Sequence, residues 1–328
     1  MNWLAGKRIY VAGHRGLAGS AIVRALQARA LGPVITRTHT EVDLEDAAQT
    51  HALFEAERPQ VVFLAAAKVG GILANDKYPA DFLTRNLAIE LNVIRAAHEV
   101  GVERLIFLGS SCIYPRDCPQ PIREEYLLTG PLEPTNRPYA LAKIVGIEMC
   151  WALNRQHGTR FLAAMPTNLY GPGDSYDLQN SHVLPALIRK MHEAKVRGVD
   201  EVVLWGSGTP RREFLHCDDL GRALVFLSGL DDAVFDELVN PRVCPLINIG
   251  AGADLTIREL AELVAEVVGF RGRLAYDPSK PDGTPRKLLD VGRMRALGWA
   301  PRVALRDGIA DAYVDFLARS ARHGSTDV

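Results

Sequence analysis

No stretch of the sequence approaches the roughly 18 consecutive apolar residues needed to cross a bilayer, so no membrane span is expected. The opening run from Met1 to Lys7 has no apolar leader segment, and no internal repeat or low-complexity tract follows it. An excess of charge of one sign is also missing. With 38 Lys and Arg against 39 Asp and Glu, the formal net charge is −1 and the pI is near 6.8. No global field then draws the chain to nucleic acid or to an anionic membrane, and any phosphate-bearing ligand must be held by local basic groups. The five cysteines (Cys112, Cys118, Cys150, Cys217 and Cys244) are odd in number and lack metal-ligand spacing. Free thiols in a reducing, cytoplasmic setting follow as the expectation. The packed string His216-Cys217-Asp218-Asp219 matches no ligand pattern either, so no metal is expected.

What is present is enough apolar side chain for a sizeable core: 48% of 328 residues are hydrophobic and 23% charged. That length suits one large domain or two interlocked ones. The first half alternates short apolar runs with helical patterns. Arg8–Ala12, Val34–Thr36, Val61–Leu64, Leu105–Leu108 and Phe161–Met165 read as strands. Amphipathic segments from Ser20 to Ala30 and near 46–57, 80–99 and 137–157 separate them. Short, uniformly apolar strands alternating with helices imply a parallel sheet covered on both faces. The expected fold is therefore α/β, a Rossmann-type doubly wound sheet. Past residue 170 the rhythm loosens, with loops at Gly171–Gly173 and Pro278–Gly283 and helices expected near 181–197, 256–268 and 305–319. A dinucleotide domain over 1–170 with returning segments near 213–250 (Leu246–Ile249 among them) and a smaller, mainly substrate-binding lobe over 171–328 fit this pattern. The residues from His323 to Val328 read as a frayed tail.

Gly13, Gly16 and Gly19 form G-x-x-G-x-x-G at the first strand-to-helix junction. Glycine permits the tight turn and lets backbone approach a pyrophosphate, while the helix N-terminus offers unpaired N–H groups. His14, Arg15 and Leu17 complete the loop. An NAD binder usually places an acidic residue at the end of the second strand. Here that strand ends Thr36-Arg37, and Arg37 with Arg15 offers two guanidinium forks to a 2′-phosphate, so NADP(H) is the expected cofactor. Asp43 is placed to accept from the adenine amino group, and Ala65-Ala66-Ala67 keeps side chains small where backbone passes the dinucleotide.

Ser110 follows the fourth apolar strand, and Tyr139 and Lys143 lie four residues apart on one helical face. A lysine there lowers the cost of the phenolate and is expected to pull the Tyr139 pKa down from its usual value of about 10. The hydroxyl then exchanges a proton with a substrate oxygen while hydride moves, with Ser110 bonded to the same oxygen.

These residues resemble the extended short-chain dehydrogenase/reductase family and, within it, the GDP-L-fucose synthases, which epimerise and reduce a 4-keto GDP-sugar. The likeness covers nearly the whole chain and includes Ala65–Gly71, Gly109–Pro115, Leu132–Asn136, Met165–Pro172, Asn180–Val183, Trp205–Pro210 and Lys280–Lys287. By that resemblance Cys112, on an exposed strand-end loop, is the base that inverts carbons 3 and 5, and His182 is the acid. Both types titrate near neutrality. It also implies that Lys143, Pro166, Thr167, Asn168, Leu169 and His182 line the cofactor, and that Asn168, Lys190, Trp205, Arg212 and Asp282 bind the GDP-sugar. Lys190 stands where close relatives carry Arg, so the charge survives without the bidentate fork. Helices comparable to 80–99 and 137–157 pair two subunits in this family, and a homodimer is expected. Reduction or epimerisation of a related heptose or colitose-pathway sugar remains open, as does a retained-NAD 4-epimerase or dehydratase. A non-catalytic NADP-sensing protein would be expected to have lost Tyr139 or Lys143.

Overall fold

The computed structural model describes residues 3–178, 181–280 and 282–323. Asn180 and Pro281 of the quoted strings, and the tail beyond His323, lie outside them. The first half runs β1 (Ile9–Ala12), α1 (Leu17–Gln27), β2 (Val34–Ile35), α2 (Ala47–Glu57), β3 (Val61–Leu64), α3 (Ile72–Lys77), α4 (Pro79–Glu99), β4 (Arg104–Leu108), α5 (Arg137–His157) and β5 (Phe161–Pro166). The rest runs β6 (Asn168–Tyr170), α6 (Val183–Arg197), β7 (Glu201–Trp205), β8 (Arg211–His216), α7 (Cys217–Ser228), α8 (Asp232–Leu238), β9 (Leu246–Ile249), β10 (Asp254–Thr256), α9 (Ile257–Val268), β11 (Arg273–Asp277), β12 (Arg286–Lys287), α10 (Gly292–Ala296) and α11 (Leu305–His323).

Six parallel strands form the main sheet in the order β2-β1-β3-β4-β5-β9. Every residue of β1, β3, β4, β5 and β9 is buried, as expected of strands covered on both faces. Each large apolar side chain so enclosed contributes about 1.5–3 kcal/mol over its exposed state. One core lies between the sheet and α1 and α7, and another between the sheet and α4 and α5. A third core joins α6, α9 and α11 beside the smaller sheets. There β8 pairs with β6 and β12 in parallel and with β10 antiparallel, while β7 and β11 form a separate parallel pair.

The first helix begins earlier than its periodicity suggested, at Leu17 rather than Ser20. Gly16 caps it directly, so the glycine loop and the helix N-terminus are one unit. It also ends sooner, at Gln27, and Ala30 turns into the left-handed region at φ 48°. Because the strands are parallel, their carboxyl ends share one edge. That edge gathers Gly13, Ala65–Ala67, Ser110 and Thr167, where ligands bind in such sheets.

Candidate active site

The glycine loop is shaped for close backbone approach. Gly13 has φ +80°, and a Cβ there would come within 2.8 Å of the Ala66 backbone. A Cβ on Gly19 would collide with the Gly13 carbonyl. The Gly16 N–H donates to the Gly13 oxygen at 3.0 Å, closing the turn in front of α1. Ala65 donates to the Ala12 oxygen at 3.1 Å, which holds the Ala65–Ala67 segment alongside the loop. A dinucleotide pyrophosphate fits this cradle of backbone and helix N-terminus. His14 and Leu17 are partly exposed and Arg15 is exposed.

The arginines at the second strand are less free than their sequence implied. Arg37 is ion-paired with Glu57 and donates to the Thr36 oxygen at 2.7 Å. Glu41 accepts from the Thr38 N–H and hydroxyl, and those bonds, with Arg37 and Arg15 nearby, hold its carboxyl below the usual range. Asp43 spends one oxygen on the Glu45 N–H at 2.9 Å, so the turn uses part of its accepting capacity.

The catalytic candidates meet at the end of β4. Ser110 caps the short 3₁₀ turn Ser111–Ile113, its hydroxyl accepting from the Cys112 N–H at 3.5 Å, and it lowers the pKa of both the Tyr139 phenol and the Cys112 thiol beside it. Tyr139 opens α5, its ring edge-on to Phe82 of α4 at 6.2 Å between centroids. One turn on, Lys143 is 2% exposed and donates to the Leu108 oxygen at 3.0 Å. Its Nζ lies 5.8 Å from the Tyr139 ring centroid.

Three expectations about these groups are corrected. Cys112 is buried at 7% exposure rather than exposed, because the 3₁₀ turn folds it inward. Burial pushes its thiol up, against the pull of Lys287, Ser110 and Lys143. Tyr139 is not pulled down: burial, then the neighbouring Cys112 and Glu90, hold its phenol well above the ordinary value. His182 is exposed at the N-cap of α6, yet desolvation by the protein beside it and then the Lys287 ammonium push its pKa down. At neutral pH both shifts favour the thiol of Cys112 and the neutral imidazole of His182.

Lys287 belongs to a string that the resemblance quoted, but its role was missed. From β12 its ammonium faces Cys112, and it also bears on His182. Its strand pairs Lys287 with Arg212 of β8. Glu213 was missed as well. It is fully buried and accepts from the Gly252 N–H at 2.6 Å and the Leu289 N–H at 3.0 Å. Its backbone oxygen accepts from the Thr167 hydroxyl and, at 2.8 Å, from the Asn168 amide. One residue thereby ties the ends of β5 and β9 to the strand bearing Lys287.

Pro166 ends β5, and Leu169 of β6 packs on the first core. At the outer wall Lys190 lies 5.4 Å from the Trp205 ring centroid, and Lys280 lies 5.8 Å from it. Trp205 is 55% exposed, a flat apolar face presented to solvent. Arg212 feels the Asp282 carboxylate, although burial outweighs that attraction and lowers its pKa. Asp282 itself accepts from the Ser207 N–H at 2.7 Å and from its hydroxyl at 2.8 Å, so its carboxylate clamps the loop after Trp205. The atoms of His216, Cys217 and Asp218 lie within 4.8 Å of one another. They already have partners: Asp218 is paired with Arg24, and His216 lies against Asp311 and takes the Asp218 N–H.

Residues 9–238 match the family described as NAD dependent epimerase/dehydratase family. The chain belongs to that family. Its extended short-chain dehydrogenase/reductase character, expected from the glycine loop, Ser110, Tyr139 and Lys143, is borne out. Among epimerase/dehydratase members, the chain is 56% identical to GDP-L-fucose synthase 1 of Arabidopsis thaliana, over 93% of this chain and 92% of that one. It is 51% identical to the GDP-L-fucose synthase of Escherichia coli (strain K12), over 97% and 99%. A GDP-D-glycero-L-gluco-heptose synthase from Campylobacter jejuni, solved in the presence of NADPH, superposes with a TM-score of 0.85 at 34% identity, covering 95% of this chain and 98% of that one.

Proposed function

We propose that the chain converts GDP-4-keto-6-deoxy-D-mannose to GDP-L-fucose by epimerisation at carbons 3 and 5 and NADPH-dependent reduction at carbon 4. The observation that carries this reading is the gathering of Cys112 and Tyr139 around Ser110 at the end of β4, close enough for thiol and phenol to bear on each other's ionisation. An epimerising thiol and a reducing phenol then serve one bound sugar. The 4-keto group acidifies the protons on its neighbours, and Cys112 removes one while His182 returns another to the opposite face. Lys287 favours the thiolate, and the diphosphate entering the same cleft favours the imidazolium. NADPH, when bound, supplies the hydride for carbon 4. Tyr139 gives its proton to the sugar oxygen, Ser110 orients that oxygen, and Lys143 holds the nicotinamide ribose.

Gly13–Gly19, Ala65–Ala67, Pro166, Thr167, Asn168 and Leu169 would hold the cofactor, and Asp43 would accept from the adenine amino group. Asn168, Lys190, Trp205 and Arg212 take the GDP-sugar, and Asp282 acts through the loop it clamps. Residues 1–170 with the returning segments near 213–250 carry the dinucleotide, and 171–328 mainly the sugar nucleotide. Arg15 and Arg37 select the 2′-phosphate. Arg15→Ala, which removes the less encumbered fork, should weaken NADPH binding about tenfold or more and leave NADH nearly unchanged, read by nicotinamide fluorescence titration. Equal loss for both cofactors would sink that selectivity.

The protein acts as a cytoplasmic homodimer. Among the described residues no helix is long and apolar enough to cross a membrane, and the five cysteines are unpaired. Leu91 on α4 and Leu141 and Val145 on α5 leave apolar surface in solvent, which a second copy would cover. Sedimentation should give twice the mass of one chain; a monomer at micromolar concentration contradicts the pairing.

The deciding experiment is NADPH oxidation with GDP-4-keto-6-deoxymannose in deuterated water. Turnover with two deuterons gained from solvent in the product is the expected result. NADPH binding without turnover moves the substrate to another 4-keto sugar, a heptose first.

A further inference from the structure

The helices α4 and α5 pack along their length, and between them lies a carboxylate that the mechanism above does not use. Glu90 is 1% exposed, and its Oε1 lies 3.1 Å from Nζ of Lys143. Apart from that ion pair, neither of its oxygens has a hydrogen-bond partner. Room for it comes from Gly146, one turn beyond Lys143. A Cβ there would stand 2.9 Å from Oε2 of Glu90 and 2.5 Å from the Phe107 ring. Burying a carboxylate is costly unless it is paired, and an apolar residue at 90 would fill the same space without that cost. Neighbouring positions of the same stripe, Phe82, Val93, Ile94 and Ala97, are apolar. Only Asn86 shares the polarity, and its amide is spent on the Lys68 backbone and the Phe82 carbonyl.

Resting on the reductase reading, we infer that Glu90 is a positioning residue for the reduction: it fixes the Lys143 ammonium between α4 and α5 and offsets its charge, so that Tyr139 stays a phenol able to donate. A lysine next to a tyrosine favours phenolate, which suits oxidation of an alcohol. Reduction needs the opposite state, because the Tyr139 O–H bond breaks as the O–H bond at carbon 4 forms. Glu90 supplies the counter-charge that lets one side chain, Lys143, hold the ribose without stripping Tyr139 of its proton. The groups facing this cluster are Lys143 and Cys150 of α5 and Ser110 and Cys112 from the end of β4; Lys68, beyond the Phe82 ring, is paired with Asp81 at 2.7 Å. The negative charge on Glu90 is among the causes that hold Tyr139 up.

The test is the titration of Tyr139 itself, followed by NMR of ring-labelled tyrosine in the protein without substrate. The Tyr139→Phe variant identifies the signal. Glu90→Gln should bring the titration down by about one pH unit or more, with Glu90→Asp between it and the unaltered protein. NADPH-dependent reduction should gain a falling alkaline limb in the same order. Absence of any downward movement in a folded Glu90→Gln protein overturns the inference. Should that variant not fold, an unmoved titration in Glu90→Asp overturns it equally. Failure of the unaltered protein to turn over the 4-keto sugar would overturn the proposed function instead, and the titration would still decide the role of Glu90.

Discussion

Tyr139→Phe should lose NADPH-dependent reduction by about 10²–10⁴-fold, the usual contribution of a positioned general acid. Deuterium exchange at carbons 3 and 5 should continue. The substitution removes one hydroxyl and keeps the ring that packs edge-on to Phe82 and lies above Lys143, so the fold has little reason to change. The Ser110 hydroxyl keeps the bond it accepts from the Cys112 N–H. Exchange measured by mass, against NADPH oxidation measured by absorbance, separates the two steps. The acid form of Tyr139 is the one that reduces, and its pKa is raised, by burial first and then by Cys112 and Glu90. Reduction itself should therefore be level across neutral pH and fall only in strong alkali. Parallel loss of exchange and reduction in Tyr139→Phe would contradict the division of labour between phenol and thiol.

Cys112→Ala should show the converse, with exchange at carbons 3 and 5 down by about 10²–10⁴-fold. A sugar presented already in the epimerised form should still be reduced. The thiolate is the working form, and burial raises the thiol pKa, so at neutral pH only the minor form is active. Exchange should accordingly rise with pH only until protonated His182 becomes limiting, and then level off across neutrality. That limit comes early, because burial and Lys287 lower the imidazole. Lys287→Met removes a cation that lowers the pKa of both the thiol and the imidazole, so the rising limb should move to higher pH. A limb that stays in place would show that Lys287 bears on neither Cys112 nor His182.

The sequence alone determined the alternation of short apolar strands and helices, and with it the doubly wound sheet. Such strands are buried on both faces, and continuous apolar runs betray them without any partner in view. It also determined the glycine loop, and the placing of Ser110, Tyr139 and Lys143 at a strand end and a helix start. Local spacing encodes these, since i and i+4 share a face in any helix. The Glu90 signal was there too, as a lone acid in a buried apolar stripe of α4, but its meaning depends on which lysine lies opposite.

Only the tertiary structure decided the charge states and the partnerships. Burial moved Cys112 up, and partial desolvation with the Lys287 charge moved His182 down, against expectations drawn from residue type. Whether a group is desolvated depends on residues that are distant in the chain. Arg37 was claimed by Glu57, and Asp282 by Ser207, each across a fold that spacing does not encode. Lys287 faces Cys112 because β12 pairs with β8, and Glu213 ties that strand to the ends of β5 and β9. Chemistry of this kind is non-local. A charge acts through the few ångströms around it, and those ångströms exist only once the chain has folded.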